Sequence, residues 1–248
     1  MTRPSAQAAG LAAAISAEGG TALLFPALEI RDVEDPQALF AILDRLERFD
    51  LAVFISPNAV RKGLEHLSVR RSAGWPGKLR VAAIGSGSRS ELERHGFGAI
   101  LAPSAQADSE ALLALPELEA MEGRRVVIFR GEGGRELLGA SLVARGAAVE
   151  YAECYRRVPA HTDCAPLLAA WARGEVDAVT VSSGEGLAGF FAMIGERGRH
   201  WMQNTPLFVP HERVAVEAAA LGAGNVRVAG SGDAQAVAAL VAYFRGAK

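Results

Sequence analysis

Displaced on itself by 127 positions, the sequence brings its two halves into register: Arg3 meets Arg130, Leu11 meets Leu138, and Gly19 meets Gly146. Asp50-Leu-Ala-Val-Phe-Ile-Ser-Pro-Asn-Ala-Val60 then lies over Asp177-Ala-Val-Thr-Val-Ser-Ser-Gly-Glu-Gly-Leu187. Further on the displacement slips to 125, placing Ile84-Gly85 over Val209-Pro210 and Asp108–Leu112 over Asp233–Val237. A period this long is not that of a solenoid, whose units run about 20–50 residues. It marks a duplicated half-protein, and 248 residues give room for two ordinary domains.

The rhythm of apolar runs sets the fold class. Runs of strand length lie at Ala22–Phe25, Leu51–Ile55, Val81–Ile84, Val126–Phe129, Ala178–Val181 and Leu207–Val209. Helical stretches separate them, at Leu39–Arg48, Ser88–His95, Arg135–Arg145, Pro166–Arg173, Gly186–Ile194, Val214–Leu221 and Ala234–Phe244. Short strands apolar on both faces, alternating with helices, predict an α/β protein with parallel sheets covered on both sides. The repeat also predicts a defect. Arg130 follows a full strand, whereas Arg3 follows only Met1 and Thr2, so the first strand is expected to be nearly absent. Restoring about five apolar residues there is expected to raise the melting temperature.

Val149–Pro159 reads V-E-Y-A-E-C-Y-R-R-V-P. It opens as a strand and is expected to end at a polar knot closed by Pro159, which cannot donate to a sheet ladder. Tyr155 would then stand where regular structure stops, its phenol reaching into a cleft. A buried tyrosine with a satisfied hydroxyl is the alternative.

A hydrophobic fraction of 50% supports a packed core. With a net charge of −2, no global basic field draws in nucleic acid or an anionic membrane. Cys154 and Cys164 have no metal-finger spacing and read as inert thiols of a reducing cytoplasm. The Ala-rich stretch Ala6–Ala17 is read as an ordinary helix rather than a signal-peptide core. No apolar run reaches the length of a membrane span.

In doubly wound sheets, ligands collect beyond the carboxyl ends of the strands. The residues found there are Ser56-Pro57-Asn58, Gly85-Ser86-Gly87-Ser88, Arg130-Gly131-Glu132-Gly133-Gly134, Ser182-Ser183 and His211-Glu212-Arg213. Each group is a short turn opening a helix, so it offers free backbone N–H groups, hydroxyls and an occasional Arg. Taken together they suit a ligand with many carboxylates or phosphates. The same residues also serve as ordinary caps and turns. Other signatures are missing. Gly131-x-Gly133-Gly134 and Gly85-x-Gly87 are not dinucleotide fingerprints, and no Walker lysine follows a glycine loop. The five histidines lack metal spacing, and Ser56 is not in a G-x-S-x-G elbow.

The ordered set Thr2-Arg3-Pro4, Phe25–Ile30, Phe54–Val60, Ala83–Gly85, Arg130-Gly131, Tyr155-Arg156 with Pro159, Val181–Ser183 and Val209–Arg213 resembles the uroporphyrinogen-III synthase family along essentially the whole chain. The resemblance implies two flavodoxin-like parallel-sheet domains joined by two extended connectors, with the chain crossing between them twice. Residues 1–32 with 160–248 would form one domain and residues 33–159 the other.

It further implies a cofactor-free, metal-free lyase. Such an enzyme closes linear hydroxymethylbilane to uroporphyrinogen III with inversion of ring D, by loss of the hydroxyl, an azafulvene-like cation and a spiro intermediate. Tyr155 matches the family's tyrosine and is the candidate catalytic residue, assisting departure of the hydroxyl. Candidate substrate-binding residues are Arg3, Ser56, Asn58, Gly85, Ser86, Ser88, Arg130, Gly131, Gly133, Ser182, Ser183, His211 and Arg213. Two positions depart from the family pattern: Ser88-Arg89 stands where many members have Thr-Ala, and Arg213 holds the equivalent place in the second half. The expected partner is the tetrapyrrole substrate, handed over from hydroxymethylbilane synthase to a cytoplasmic monomer. The rival readings are a non-catalytic two-domain binding or sensor module and a transferase acting on a nucleotide-linked donor.

Overall fold

Strands β2 (Leu51–Phe54) and β5 (Arg125–Gly131) show how the sequence pattern becomes a buried sheet. In the computed structural model, which describes residues 1–104, 108–134 and 136–246, the two pair in parallel with Phe54 opposite Phe129. Ala52, Phe54, Val127 and Phe129 face one apolar cluster, with Leu43, Val60 and Leu92. Leu51, Val53, Val126 and Ile128 face another, with Leu112, Leu118 and Leu142. A strand that alternates between two cores must be apolar throughout, which is why these segments read as unbroken runs.

The chain divides into two compact units, Met1–Glu29 with Val158–Lys248 and Ile30–Arg157. It passes between them at β1 (Leu28–Arg31) and at β6 (Ala148–Pro159). The sheet of the Ile30–Arg157 unit adds β3 (Arg80–Ala83) and β4 (Ile100–Leu101), in the order β1-β6-β5-β2-β3-β4. From β2 the chain winds outward through β3 and β4, then returns to lay β5 on the other side of β2. The winding therefore reverses between β2 and β5, and it is beyond the carboxyl ends of strands at such a point that a crevice opens.

In the other unit, β7 (Val179–Thr180), β8 (Leu207–Val209) and β9 (Val226–Val228) pair in parallel. Backbone hydrogen bonds extend this sheet. Thr2 N–H donates to the Thr180 carbonyl at 3.2 Å, and Phe25 N–H donates to that of Met1 at 2.9 Å. Met1 and Thr2 thus lie between Leu23–Phe25 and β7, again a point where the winding reverses. Toward the amino ends of these strands lies a cavity of about 510 Å³, bordered by Ile15, Phe25, Val179, Phe190, Val241 and Phe244.

The duplication explains the layout. Each unit joins the Arg-bearing segment of one half (Arg3 or Arg130) to the Ser-bearing strand of the other (Ser183 or Ser56).

Several elements escape the sequence reading. β1, β4 and β9 are too short or too polar to stand out, and of the helix Pro57–Arg70 only the opening turn at Ser56-Pro57-Asn58 is legible. The stretch Gly186–Ile194 lies in a longer segment, Gly184–Met202, interrupted at Gly195. Arg135, the expected start of one helix, lies outside the described residues, and that helix runs Leu137–Ala144. No helix among the described residues is long and apolar enough to cross a membrane.

Gly63, within Pro57–Arg70, lets that helix approach the stacked Phe54 and Phe129 rings, whose centroids are 4.5 Å apart. A Cβ there would stand 2.8 Å from Phe129 Cδ1. Overpacking of about 1–3 kcal/mol opposes a helix-propensity gain of about 1 kcal/mol. Gly63→Ala is expected to melt a few degrees lower than the parent chain; a higher melting temperature would contradict this packing.

Candidate functional site

Tyr155 reaches its place through a β-bulge. Opposite β5, Phe129 pairs with Ala152 and Arg130 with Glu153, but Gly131 pairs with Tyr155, leaving Cys154 as the extra residue. Unbroken alternation would put position 155 on the face of Tyr151 and Glu153. The bulge turns it instead onto the face of Ala152 and Cys154, where both Cys154 and Tyr155 join the Phe54–Phe129 core. Re-aiming a side chain is a known use of bulges. Burial pushes the Cys154 thiol up to about 12, so it is an inert filler of the bulge.

Two expectations are corrected here. Regular structure does not stop at the polar knot, because β6 runs on to Pro159. Nor does the phenol project freely, since Tyr155 is only 2% exposed. The reason is local: the ring lies against Gly131, where a Cβ would come within 2.7 Å of its Cε2 and Cζ.

The Tyr155 hydroxyl has two polar neighbours. Ser56 Oγ lies 3.0 Å away, and Arg157 Nη1 donates to it at 3.2 Å. Ser56 is itself held in place. It caps the helix Pro57–Arg70, accepting from Ala59 N–H at 3.0 Å, with Pro57 at the first helical position. Ser56 therefore stands at the carboxyl end of β2 and Tyr155 beside the end of β5, at the point where the winding reverses.

Arg130, at the end of β5, is a second feature of this edge. Its side chain is 9% exposed, donates through Nε and Nη2 to Glu153, and stacks 3.8 Å over the Tyr151 ring. Its Nη1 has no hydrogen-bond partner among the described residues. The residue borders a cavity of about 170 Å³ with Ile55, Ile84, Ser109, Leu138 and Tyr151. A buried cation with a spare donor beside a small, mostly apolar space suits a carboxylate on a short aliphatic arm.

Other predicted residues sort by position. Asn58 Oδ1 accepts from Arg61 at 2.7 Å. Gly85 precedes the helix Ser86–Arg94, and Ser86 is exposed at its first turn. Ser88 is corrected: the third residue of that helix, it is 2% exposed and turned inward, so its hydroxyl offers no grip at the surface. Gly133 is exposed beyond Gly131.

In the other unit, Ser182 is exposed and Ser183 caps its helix through Gly186 N–H at 3.0 Å, just as Ser56 caps Pro57–Arg70. Arg3 pairs with Asp233, a partner missed in the sequence. His211 stands at the start of Glu212–Ala220 without capping it by its side chain, and Arg213 pairs with Glu217 at 3.2 Å. Both lie beyond β8. The two reversal points are thus built alike from Arg and a capping Ser, but among the described residues only that of Ile30–Arg157 carries a phenol. Among the described residues, no cluster of His, Cys, Asp and Glu could hold a metal ion.

Comparison with known proteins agrees with this layout. A family model described as uroporphyrinogen-III synthase HemD matches residues 9–239. Uroporphyrinogen-III synthase of Escherichia coli K12 is 36% identical over 238 residues, covering 96% of each chain. A putative uroporphyrinogen-III synthase of Methanothermobacter thermautotrophicus is 30% identical over 209 residues, covering 82% of this chain and 80% of that one. Crystal structures of uroporphyrinogen-III synthases share the fold. A Thermus thermophilus mutant has a TM-score of 0.58 at 20% identity, over 96% of this chain and 94% of its own. The Helicobacter pylori protein has 0.58 at 16%, over 90% and 92%. Matched along nearly its full length by the family model and by the Escherichia coli relative, the chain belongs to the uroporphyrinogen-III synthase family.

Proposed function

We infer that the chain is the uroporphyrinogen-III synthase of its source, an enzyme of tetrapyrrole synthesis that closes hydroxymethylbilane to uroporphyrinogen III with inversion of ring D. Family membership supports this over a non-catalytic binding module. The observation that carries the chemistry is the hydroxyl pair Ser56–Tyr155, 3.0 Å apart at the reversal point of the Ile30–Arg157 sheet. Loss of the substrate hydroxyl as water needs a proton on the departing oxygen, and this hydroxyl pair stands at the strand ends with a proton to give.

The reaction is that of a lyase, and in this reading it needs no cofactor. The pyrrole nitrogen supplies the electron pair that expels water, and later steps make and break carbon–carbon bonds between the same rings without change of overall oxidation state. The protein's task is to hold the bilane in the one fold that favours inverted closure. Candidate grips for its carboxylates are Ser56, Asn58, Gly85, Ser86, Arg130, Gly131 and Gly133 at the strand ends of the Ile30–Arg157 unit, and Arg3, Ser182, Ser183, His211 and Arg213 at those of the other unit, each unit taken by itself. The buried Ser88 is not among them. The chain acts as a cytoplasmic monomer on a bilane received from hydroxymethylbilane synthase, a setting that two free cysteines and a net charge of −2 fit.

The test is direct. Incubated with enzymatically made hydroxymethylbilane and then oxidised, the chain is expected to give uroporphyrin III. Isomer I alone, the product of unassisted closure, would refute the reading.

A further inference from the structure

Tyr155 is the candidate proton donor, yet the residue is buried, and a proton donor must touch the oxygen it protonates. The hydrogen bonds around it resolve the difficulty. Four protons meet at this point: Ala59 N–H, donated to Ser56 Oγ; Arg157 Nη1–H, donated to the phenol oxygen; and the hydroxyl protons of Ser56 and Tyr155. One hydroxyl proton fills the Ser56–Tyr155 bond. The other is uncommitted.

Burial decides which. If Ser56 donated to Tyr155, the phenol proton would be left without an acceptor in a residue that is 2% exposed, and an unpaired buried donor is costly. If Tyr155 donates to Ser56, the phenol is satisfied on both sides. The free proton then sits on Ser56, which is only partly buried. The capping bond from Ala59 and the bond from Tyr155 fill the acceptor positions of Ser56 Oγ, so its own O–H points away from both.

We propose that Ser56 is the residue that delivers the proton to the leaving hydroxyl, and that Tyr155 acts behind it, as a positioning residue that resupplies the proton. This rests on the reading of the chain as a bilane-closing enzyme. In the step, Ser56 O–H gives its proton to the hydroxymethyl oxygen, the C–O bond breaks with its electron pair leaving on water, and the pyrrole nitrogen pair forms the azafulvenium cation. Ser56 Oγ takes the Tyr155 proton in the same movement, and the charge left on the phenol oxygen faces Arg157 Nη1–H. The proton lost from the substrate when the closing pyrrole regains aromaticity returns to this pair, so the enzyme ends as it began and one water is released.

Two substitutions separate chemistry from structure. Ser56→Asn retains an acceptor for Ala59 N–H, and so the helix cap, but has no hydroxyl; Ser56→Thr retains both. With hydroxymethylbilane in single turnover, Ser56→Asn and Tyr155→Phe are each expected to be slower by about 10²–10⁴-fold, and Ser56→Thr to stay within about tenfold of the parent. A bilane bearing a carboxylate ester in place of the hydroxyl needs no proton to release its leaving group. With that substrate the two losses are expected to shrink to within about tenfold.

Parent-like turnover of hydroxymethylbilane by Ser56→Asn would overturn the proposal. So would equal losses with both leaving groups, which would mark a purely structural role. Failure of the parent chain to form isomer III would instead strike the proposed function itself.

Discussion

Gly131→Ala is expected to slow formation of uroporphyrinogen III by about 10²–10³-fold while the chain still folds, the scale of losing or misplacing an acid–base group. The added methyl would stand 2.7 Å from Cε2 and Cζ of Tyr155, well inside van der Waals contact. Gly131 lies at the end of β5 in ordinary strand conformation, with no positive φ, so alanine brings no backbone strain. The steric clash is the whole effect. The clash falls on the ring rather than on backbone, so moving the phenol relieves it. A shift of about 1 Å takes the phenol oxygen out of reach of Ser56 and so empties the proton supply. Stability is expected to fall by about 1–3 kcal/mol, as for other overpacked sites. Circular dichroism and a thermal melt separate that modest loss from the kinetic one. Undiminished turnover would show that the phenol's position is not critical.

Arg130→Met is expected to raise KM for the bilane by about 10–100-fold, with a smaller change in kcat. This is the size of one charge-assisted hydrogen bond, about 1.5–3 kcal/mol. The guanidinium is buried, holds Glu153 on one edge, and leaves Nη1 without a partner beside a cavity of about 170 Å³. Methionine keeps the stacking bulk over Tyr151 but removes the charge. Glu153, its side chain 38% exposed, is released to water rather than stranded, so the loss falls on binding rather than on folding. Lysine should rescue only part of it, since a point charge cannot pair with Glu153 through two nitrogens and still reach a carboxylate. An unchanged KM would place the substrate's carboxylates elsewhere.

Much of this was legible in the amino-acid order, and the illegible part has physical causes. The alternation of apolar runs and helices predicted the α/β fold because strands such as Val126–Phe129 must be apolar on both faces. Ser56 and Ser183, 127 positions apart, were visible as matching turn residues, and both cap helices with the same geometry. The bulge was not visible. A single extra residue at Cys154 leaves composition and periodicity unchanged, yet it reverses the side to which Tyr155 points. The inward turn of Ser88 was not legible either, since a turn opening a helix says little about which face its third residue presents. Asp233 and Glu153 could not be assigned to Arg3 and Arg130, since ion pairing across 230 and 23 residues depends on the topology.

A shared proton path requires Ser56 and Tyr155 to act as one device rather than as two independent contributions, and a double-mutant cycle measures that property. Residues that act as a unit lose little more together than singly. With hydroxymethylbilane in single turnover, the Ser56→Asn, Tyr155→Phe double variant should form isomer III within about threefold of the slower single variant. Rate losses that multiply across the two substitutions would show two separate functions and would contradict a shared proton path.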